Sequence, residues 1–169
     1  MQLINWNVRG ANGRKKQQEI RNLRSKFQLE LIFIQETKIR KLEKTIVQAL
    51  WGGEKMDWFG SESEGSSGGL VTIWDPDFMH PISKVRGKNF VLISGMIKIN
   101  HQEVMMNFLN VYAPRLEKEK LQLWETLVTL KSSYSGEWII GGLRYGNILT
   151  ISYLLDSNQI SDRDQDQPT

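Results

Sequence analysis

The sequence contains no cysteine, and this absence narrows the chemistry that the chain can perform. Disulfide bonds and thiolate metal sites are excluded. The two histidines, His80 and His101, lie in unrelated contexts, so a zinc site is not expected. No apolar run approaches the roughly 18 residues that a membrane-spanning helix needs. Residues 1–10 also lack the basic-then-apolar pattern of a secretory signal, so we expect an intracellular protein without a membrane partner.

The overall composition is that of one globular domain, but the charge is unevenly distributed. The chain has 169 residues, of which 40% are hydrophobic and 24% are charged. Residues 1–50 contain 11 Lys and Arg against 4 Asp and Glu, whereas residues 116–169 contain 5 against 8. The basic first third of the chain could bind a polyanion such as nucleic acid. An excess of basic residues is equally typical of a helix surface that faces solvent. Charge alone therefore does not identify a nucleic-acid partner.

The first third of the sequence alternates between strand-like and helix-like patterns. Residues 2–8 and 29–34 are short apolar runs and predict strands, the second of them buried on both faces. Residues 14–27 and 40–50 have apolar side chains at helical spacing. The order strand, helix, strand, helix is typical of an α/β protein.

The middle of the chain has a more antiparallel character. Residues 60–69 are rich in Ser, Gly and Glu and predict a loop, followed by a strand over residues 69–74. Residues 90–99 and 104–112 predict two strands of a hairpin. This block therefore predicts antiparallel pairing within the α/β fold.

The last third begins with a helix over residues 117–131, in which four apolar side chains share a face: Leu121, Trp124, Leu127 and Val128. A strand over residues 137–141 follows. Residues 143–155 are apolar enough for one more element. Residues 156–169 are polar and of low complexity, so we expect disorder there.

Polar side chains stand where several predicted strands end. Asn7 ends the first strand, Glu36 ends the second, and Asn110 and Tyr112 end a later one. Ligands of open α/β sheets gather at the carboxyl ends of strands. Amide and carboxylate oxygens there would suit Mg²⁺. Each residue alone is more commonly a solvated Glu, a turn Asn or a Tyr with its hydroxyl in water, so the pattern favours a metal site without establishing it.

Five segments, in order, resemble the endonuclease/exonuclease/phosphatase domain of plant LINE-type retrotransposons. They are WNVRG at residues 6–10, FIQETK at 33–38, SSGGL with a following Trp-Asp at 66–75, NVYAP at 110–114 and WIIGG at 138–142. No single segment is specific, but five in the same order over residues 3–142 are.

The resemblance implies an α/β fold, a four-layer α/β/β/α sandwich, and divalent-metal cleavage of phosphate esters. It implies Mg²⁺ or Mn²⁺ as cofactor and the phosphate backbone of DNA as partner. Glu36 would be the main metal ligand, and Asn7 a second polar group at the metal and phosphate. Tyr112 would contact the phosphate, and Asn110 would play a supporting part. An intact relative would be expected in the nucleus.

The resemblance stops after Gly142. The family continues with Asp-Phe-Asn, whereas this chain continues with Leu143, Arg144 and Tyr145, and the family's terminal Ser-Asp-His motif is absent. We therefore expect residues 1–142 to be the N-terminal part of such a domain and residues 143–169 to be a divergent tail. A partial sandwich lacking its C-terminal part should have little or no activity, and its uncovered sheet edges should favour self-association.

Other functions remain open at the level of the sequence. A non-catalytic nucleic-acid-binding remnant of a retroelement would use the basic helix, through Arg14, Lys15, Lys16, Arg21 and Arg24. A decayed reading frame that never folds is a third possibility. A phosphohydrolase acting on inositol phosphates or sphingolipids would share the same core, although the WNVRG and SSGG segments disfavour it.

Overall fold

A computed structural model describes residues 1–64, 67–142 and 150–154, and only the backbone of Ser67 and residues 150–154. These residues form two β-sheets that pack face to face between layers of helices. The first sheet contains β1 (Leu3–Asn7), β2 (Leu31–Gln35), β3 (Asp57–Glu64) and β4 (Ser67–Trp74). The second contains β5 (Met79–Arg86), β6 (Phe90–Ile99), β7 (Gln102–Val111), β8 (Glu137–Gly142) and β9 (Thr150–Leu154). The helices are α1 (Arg14–Phe27), α2 (Lys44–Trp51) and α3 (Glu117–Ser133).

Strand order explains how the layers connect. The sheets run β1-β2-β4-β3 and β5-β6-β7-β8-β9. The two parallel pairs, β1 with β2 and β7 with β8, are the pairs joined by the crossover helices α1 and α3. The other described pairs are antiparallel. The predicted α/β/β/α sandwich is therefore confirmed.

The strand β2 lies at the centre of the molecule, buried on both faces as predicted. Ile32 and Ile34 belong to the core between the first sheet and the helices α1 and α2. Leu31 and Phe33 belong to the core between the two sheets. Because side chains alternate along a strand, one five-residue segment serves both cores. Each of these side chains is almost completely buried.

The prediction of a loop over residues 60–69 was wrong. The strand β3 continues to Glu64 and β4 begins at Ser67, so both strands run through this stretch. Gly60 pairs with Val71 so closely that a Cβ on it would overlap the backbone of Leu70. The strand β3 lies at a sheet edge and is half exposed, so it tolerates Ser and Glu that would normally indicate a loop.

The packing face of α3 also differs from the prediction. Leu127 does pack on the second sheet, together with Leu123 and Leu130. Leu121, Trp124 and Val128 are instead exposed. The helix contains two apolar stripes, and contact with Trp138 and Leu109 of the sheet selects the one that includes Leu127. Helical periodicity alone cannot choose between two stripes.

Other predictions were closer to the structure. The helix α1 has the predicted bounds, and β9 falls within the stretch expected to hold one more element. The strand β5 had not been predicted; its edge carries Pro81, a register shift, Lys84 and Arg86, all of which hinder pairing with another chain. The expectations for residues 143–149 and 156–169 lie outside the described residues. None of the described helices is both long and apolar enough to cross a membrane.

Candidate functional site

Parallel pairing brings the ends of β1 and β2 together. Asn7 is opposite Gln35 in the register, which places Glu36 immediately beyond that pair. The Asn7 Nδ2 atom donates a hydrogen bond to Oε1 of Glu36 at 3.0 Å. The Asn7 Oδ1 atom accepts one from the backbone N–H of Arg9 at 3.2 Å. The Asn7 amide is thus fixed by its own loop and orients the Glu36 carboxylate.

Tyr112 reaches the same carboxylate from the other sheet. It follows β7 and lines the same cleft as Glu36. Burial raises the pKa of the Tyr112 phenol, and the Glu36 carboxylate raises it further, while Arg115 opposes the change. The phenol is therefore protonated at neutral pH, with the Glu36 carboxylate beside it. Asn7 donates to Glu36 and Tyr112 lines the same cleft beside it, so three predicted site residues lie together.

The backbone around Glu36 adopts an uncommon conformation. Glu36 has φ 51° and Lys38 has φ 56°, both in the left-handed region that few non-glycine residues occupy. Thr37 between them is buried. The Glu36 carbonyl accepts a hydrogen bond from Gly10 N at 2.8 Å, and Thr37 N donates to Gly69 O at 3.1 Å. Strained residues persist where their surroundings hold them on several sides, as here, and such sites are commonly functional.

Two adjacent glycines clamp this segment. The carbonyls of Gly68 and Gly69 accept hydrogen bonds from the backbone of Lys38 and Thr37, each at 3.1 Å. Gly69 has φ 84°, and a Cβ on it would overlap Oγ1 of Thr37. The sequence analysis matched these glycines to a family segment without giving them a function. Two consecutive glycines at the start of a predicted strand are a signal from which this close backbone approach could have been inferred.

A buried amide network lies beneath the site. Gln35 Nε2 donates to Oδ1 of Asn110 at 2.8 Å and also to Oδ1 of Asn5. Asn110 Nδ2 donates to the carbonyl of Val71 at 3.2 Å. Both Gln35 and Asn110 are completely buried, and neither lines the cleft at the site. Asn110 thus ties the two sheets together, and Gln35, which sequence analysis did not single out, is its central partner.

The fourth strand end at the site belongs to β8. Asn5 Nδ2 donates to the carbonyl of Gly142 at 3.4 Å. A Cβ on Gly141 would meet the Phe33 ring at 2.6 Å, so only glycine fits between β2 and β8 at that point. The ends of β1, β2, β7 and β8 therefore converge, as sequence analysis expected for Asn7, Glu36 and Tyr112.

Glu36 opens into a cleft of about 780 Å³. Its charged lining residues are the acidic Glu36, Glu62, Glu64 and Glu119 and the basic Lys38, Arg86, Lys88 and Arg115. Lys88 lies 3.3 Å from Glu119, and Arg86 donates to the carbonyl of Gly60 at 3.0 Å. A cleft lined by both carboxylates and cations suits a metal ion and an anionic substrate together.

The basic residues of α1 do not line this cleft. Lys16 is paired with Glu19 at 2.7 Å. Arg21 donates to the carbonyl of Ala49 in α2, and the Arg24 guanidinium lies 4.0 Å from the centre of the Trp51 ring. Arg14 and Lys15 are exposed at the start of the helix. Three of the five predicted nucleic-acid contacts are thus engaged in contacts within the fold.

The described residues offer few metal ligands beyond Glu36. Within residues 1–64 and 67–142, no group of three His, Asp or Glu side chains could hold a metal ion. Mg²⁺ commonly takes one or two carboxylates and completes its shell with water and substrate phosphate. One oriented carboxylate at an open cleft fits that requirement, whereas it does not fit a site built from protein ligands alone.

No protein-family model and no curated protein matches the chain. Solved structures do match it. The APE2 catalytic domain of Xenopus laevis superposes with a TM-score of 0.65 at 18% identity over 84% of this chain and 57% of that one. An endonuclease/exonuclease/phosphatase from Bacteroides vulgatus has a TM-score of 0.61 at 12% identity over 83% and 64%.

The endonuclease domain of TRAS1, a telomere-specific non-LTR retrotransposon, has a TM-score of 0.53 at 16% identity over 83% and 57%. The chain therefore spans less than two thirds of the length of each of these proteins. Together the matches establish that the chain has the endonuclease/exonuclease/phosphatase fold.

Proposed function

We propose that the Glu36 cleft is a divalent-metal-dependent phosphodiester site of the DNA-endonuclease type, at which hydrolysis is severely impaired. The observation that carries the proposal is the Glu36 carboxylate, which Asn7 orients and which lies beside Tyr112 at the mouth of a cleft with cationic residues. The resemblance of the surrounding segments to LINE-type endonucleases supports the choice of DNA as substrate.

Each residue has a distinct part in this proposal. Glu36 would hold Mg²⁺ or Mn²⁺, which would supply charge neutralisation at the phosphate. Asn7 keeps the carboxylate oriented through its donated hydrogen bond. The Tyr112 phenol remains protonated, so it can donate to a phosphate oxygen placed beside Glu36. The Asn7 Oδ1 atom accepts one hydrogen bond from Arg9 and keeps a second lone pair, so Asn7 could also face the metal directly.

The impairment follows from position 143. The family pattern has an aspartate after the two glycines, and this chain has Leu143, which cannot accept a proton from water. Loss of a general base costs roughly 10²–10⁴-fold in rate. The family's asparagine two residues later, which helps to hold the phosphate, is Tyr145 here, and loss of such a donor would cost about a further 10²–10³-fold. Hydrolysis close to background is the expected result.

A plasmid-nicking assay combined with metal-dependent DNA binding tests the proposal. Wild type, Glu36→Ala and Glu64→Ala would be compared with Mg²⁺ and with EDTA, after thermal melts show that each is folded. Glu64 is a matched control, because it lines the same cleft on the edge strand β3. DNA binding that needs both Mg²⁺ and Glu36, with nicking near background, is expected. Binding indifferent to both would refute the metal site, and rapid nicking would refute the impairment.

A second candidate function is nucleic-acid binding without catalysis. Arg86 is the last residue of β5, Lys88 lies in the turn between β5 and β6, and Arg115 follows Tyr112 in sequence. The Tyr112 N–H donates to the Asn89 carbonyl at 2.9 Å, which joins these two segments into one wall of the cleft. We call Arg86, Lys88 and Arg115 the basic wall. Salt-dependent DNA binding that needs neither Mg²⁺ nor Glu36 would favour this function over the first.

A further inference from the structure

Leu116 has the most exposed large apolar side chain among the described residues, at 65%. It belongs to none of the hydrophobic clusters that the described residues form, so burial does not explain it. A single exposed leucine on a protein surface is ordinary. The position of this one is not ordinary, because leucine also weakens the helix that begins there.

Leu116 is the N-cap residue of α3. An N-cap side chain normally accepts a hydrogen bond from a backbone N–H of the first turn, and leucine is among the residues least suited to this position. No side-chain hydrogen bond caps α3 at Leu116. The side chain therefore neither caps the helix nor packs in a core, which favours contact with a binding partner as the reason for its presence.

The backbone at Leu116 is held in place on both sides. Pro114, two residues earlier, is buried, and its ring fixes φ. The Leu116 carbonyl accepts a hydrogen bond from Lys120 N at 3.0 Å in the first turn of α3. This short segment therefore presents the Leu116 side chain to solvent from a rigid support.

Leu116 stands at the rim of the Glu36 cleft. Arg115 immediately before it and Glu119 after it both line the cleft. Glu119 also lies 3.3 Å from Lys88, another residue of the basic wall. A duplex whose phosphates are bound by the basic wall would therefore run past this leucine. Apolar side chains in such a place, leucine among them, can enter between neighbouring base pairs and kink the duplex.

We propose that Leu116 inserts between two neighbouring base pairs of duplex DNA bound at the cleft and kinks the duplex there. The inference rests on the proposed binding of DNA at the Glu36 cleft, and it does not require hydrolysis. Insertion of this kind unstacks one base step and bends the duplex by about 20–90°. Because the cost of unstacking depends on the sequence of the step, Leu116 would select DNA sites by their deformability.

Fluorescence energy transfer between dyes at the two ends of a short duplex, at saturating protein, measures the kink. Wild type should raise the transfer efficiency. Leu116→Ser should bind DNA with the wild-type salt dependence but leave the efficiency at that of the free duplex, because it removes the apolar side chain and no charge. Leu116→Met, which keeps an apolar side chain of similar size, should retain the kink. Ile82→Ser is the matched control, because Ile82 is 64% exposed on β5 and does not line the cleft.

Stability separates a binding role of Leu116 from a structural one. Leu116→Ser supplies an N-cap hydroxyl to α3, so it should raise the urea concentration at the unfolding midpoint while it abolishes the kink. A lower midpoint would show that Leu116 supports the fold and would overturn the inference. Wild type that binds the duplex without bending it, or Leu116→Ser that bends it as wild type does, would overturn the inference alone. Failure of wild type to bind any duplex would overturn it together with the proposed DNA site.

Discussion

Asn7 and Glu36 are separated by 29 residues in the chain, yet Nδ2 of the first lies 3.0 Å from Oε1 of the second. The contact exists because β1 and β2 run parallel, with Asn7 opposite Gln35, after the chain returns through α1. A parallel pair ends on one edge of the sheet, so both polar side chains emerge at the same place. The carboxylate at the site is therefore oriented by the sheet register.

Replacing Asn7 should weaken metal binding without removing the carboxylate. Asn7→Leu deletes the donor that orients Glu36, and loss of such a supporting hydrogen bond typically costs about 10- to 100-fold in metal affinity. Titration of Mn²⁺ followed by electron paramagnetic resonance measures the change. Glu64→Ala should leave the affinity unchanged. An Asn7→Leu variant that binds Mn²⁺ as tightly as wild type would show that Asn7 does not support the site.

Tyr112 should ionise at a higher pH than an ordinary tyrosine. Its pKa is raised first by burial and then by Glu36, so the phenol should titrate above the usual value of about 10. Ultraviolet absorbance near 295 nm as a function of pH, compared with Tyr112→Phe, isolates this component. Glu36→Gln should lower the Tyr112 pKa only in part, because burial is the larger cause. A Tyr112 pKa that returns completely to the ordinary tyrosine value in Glu36→Gln would show that Glu36, and not burial, is the larger cause.

The same shift predicts how stability changes with pH. The pKa of Tyr112 is higher in the folded state than in the unfolded state, so its contribution is fully present below pH 10. That contribution should be lost as the pH rises through the folded-state pKa. Urea unfolding at pH 8 and at alkaline pH should show a steeper loss of stability for wild type than for Tyr112→Phe. Equal losses of stability in wild type and Tyr112→Phe would show that Tyr112 ionisation does not cause the alkaline loss of stability.

Gly69→Ala should disturb both stability and the site. A Cβ at this position overlaps Oγ1 of Thr37, and φ 84° is unfavourable for alanine, so we expect a loss of about 1–3 kcal/mol. Gly53→Ala is the control, because nothing lies within 4 Å of its Cβ position. Urea unfolding measures the stability of both variants. Mn²⁺ affinity should fall in Gly69→Ala alone, because Thr37 adjoins Glu36.

DNA binding through the basic wall can be distinguished from DNA binding through α1. If the DNA backbone follows the cleft, the double variant Lys88→Ala, Arg115→Ala should reduce the slope of log affinity against log salt concentration by about 2. Arg14→Ala with Lys15→Ala should leave the slope unchanged, because these residues do not line the cleft. Fluorescence anisotropy with a labelled duplex measures both. A slope that changes in the Arg14→Ala, Lys15→Ala variant and not in the Lys88→Ala, Arg115→Ala variant would show that DNA binds to α1.

Position 143 offers a gain-of-function prediction. Leu143→Asp should raise Mg²⁺-dependent nicking by about 10²-fold or more if a missing proton acceptor limits the rate. Leu143→Asn, of similar size but without a basic carboxylate, is the control. The gain should disappear when Glu36→Ala is added. No gain in a folded Leu143→Asp protein that still binds metal would show that another absent group limits catalysis.

The local sequence pattern was sufficient to predict those structural features that depend on residues close together in the chain. The bounds of α1, the two-sided burial of β2 and the α/β order were all predicted from spacing and apolar content. The polar residues at strand ends were also visible, because Asn7, Glu36 and Tyr112 interrupt apolar runs. Helices and buried strands carry this information themselves, since their period is a property of the backbone.

Features that depend on contacts between residues far apart in the chain could be identified only from the tertiary structure. The β3–β4 hairpin looked like a loop because an exposed edge strand needs few apolar residues. The packed stripe of α3 was chosen by the sheet surface beneath it, which leaves Trp124 in solvent. Arg86, Lys88 and Arg115 reach one cleft from separate segments, whereas Arg21 and Arg24 of the basic helix contact α2. DNA binding by either group stays a prediction. Sequence shows which groups are present, whereas only the packing of the sheets determines which of them meet.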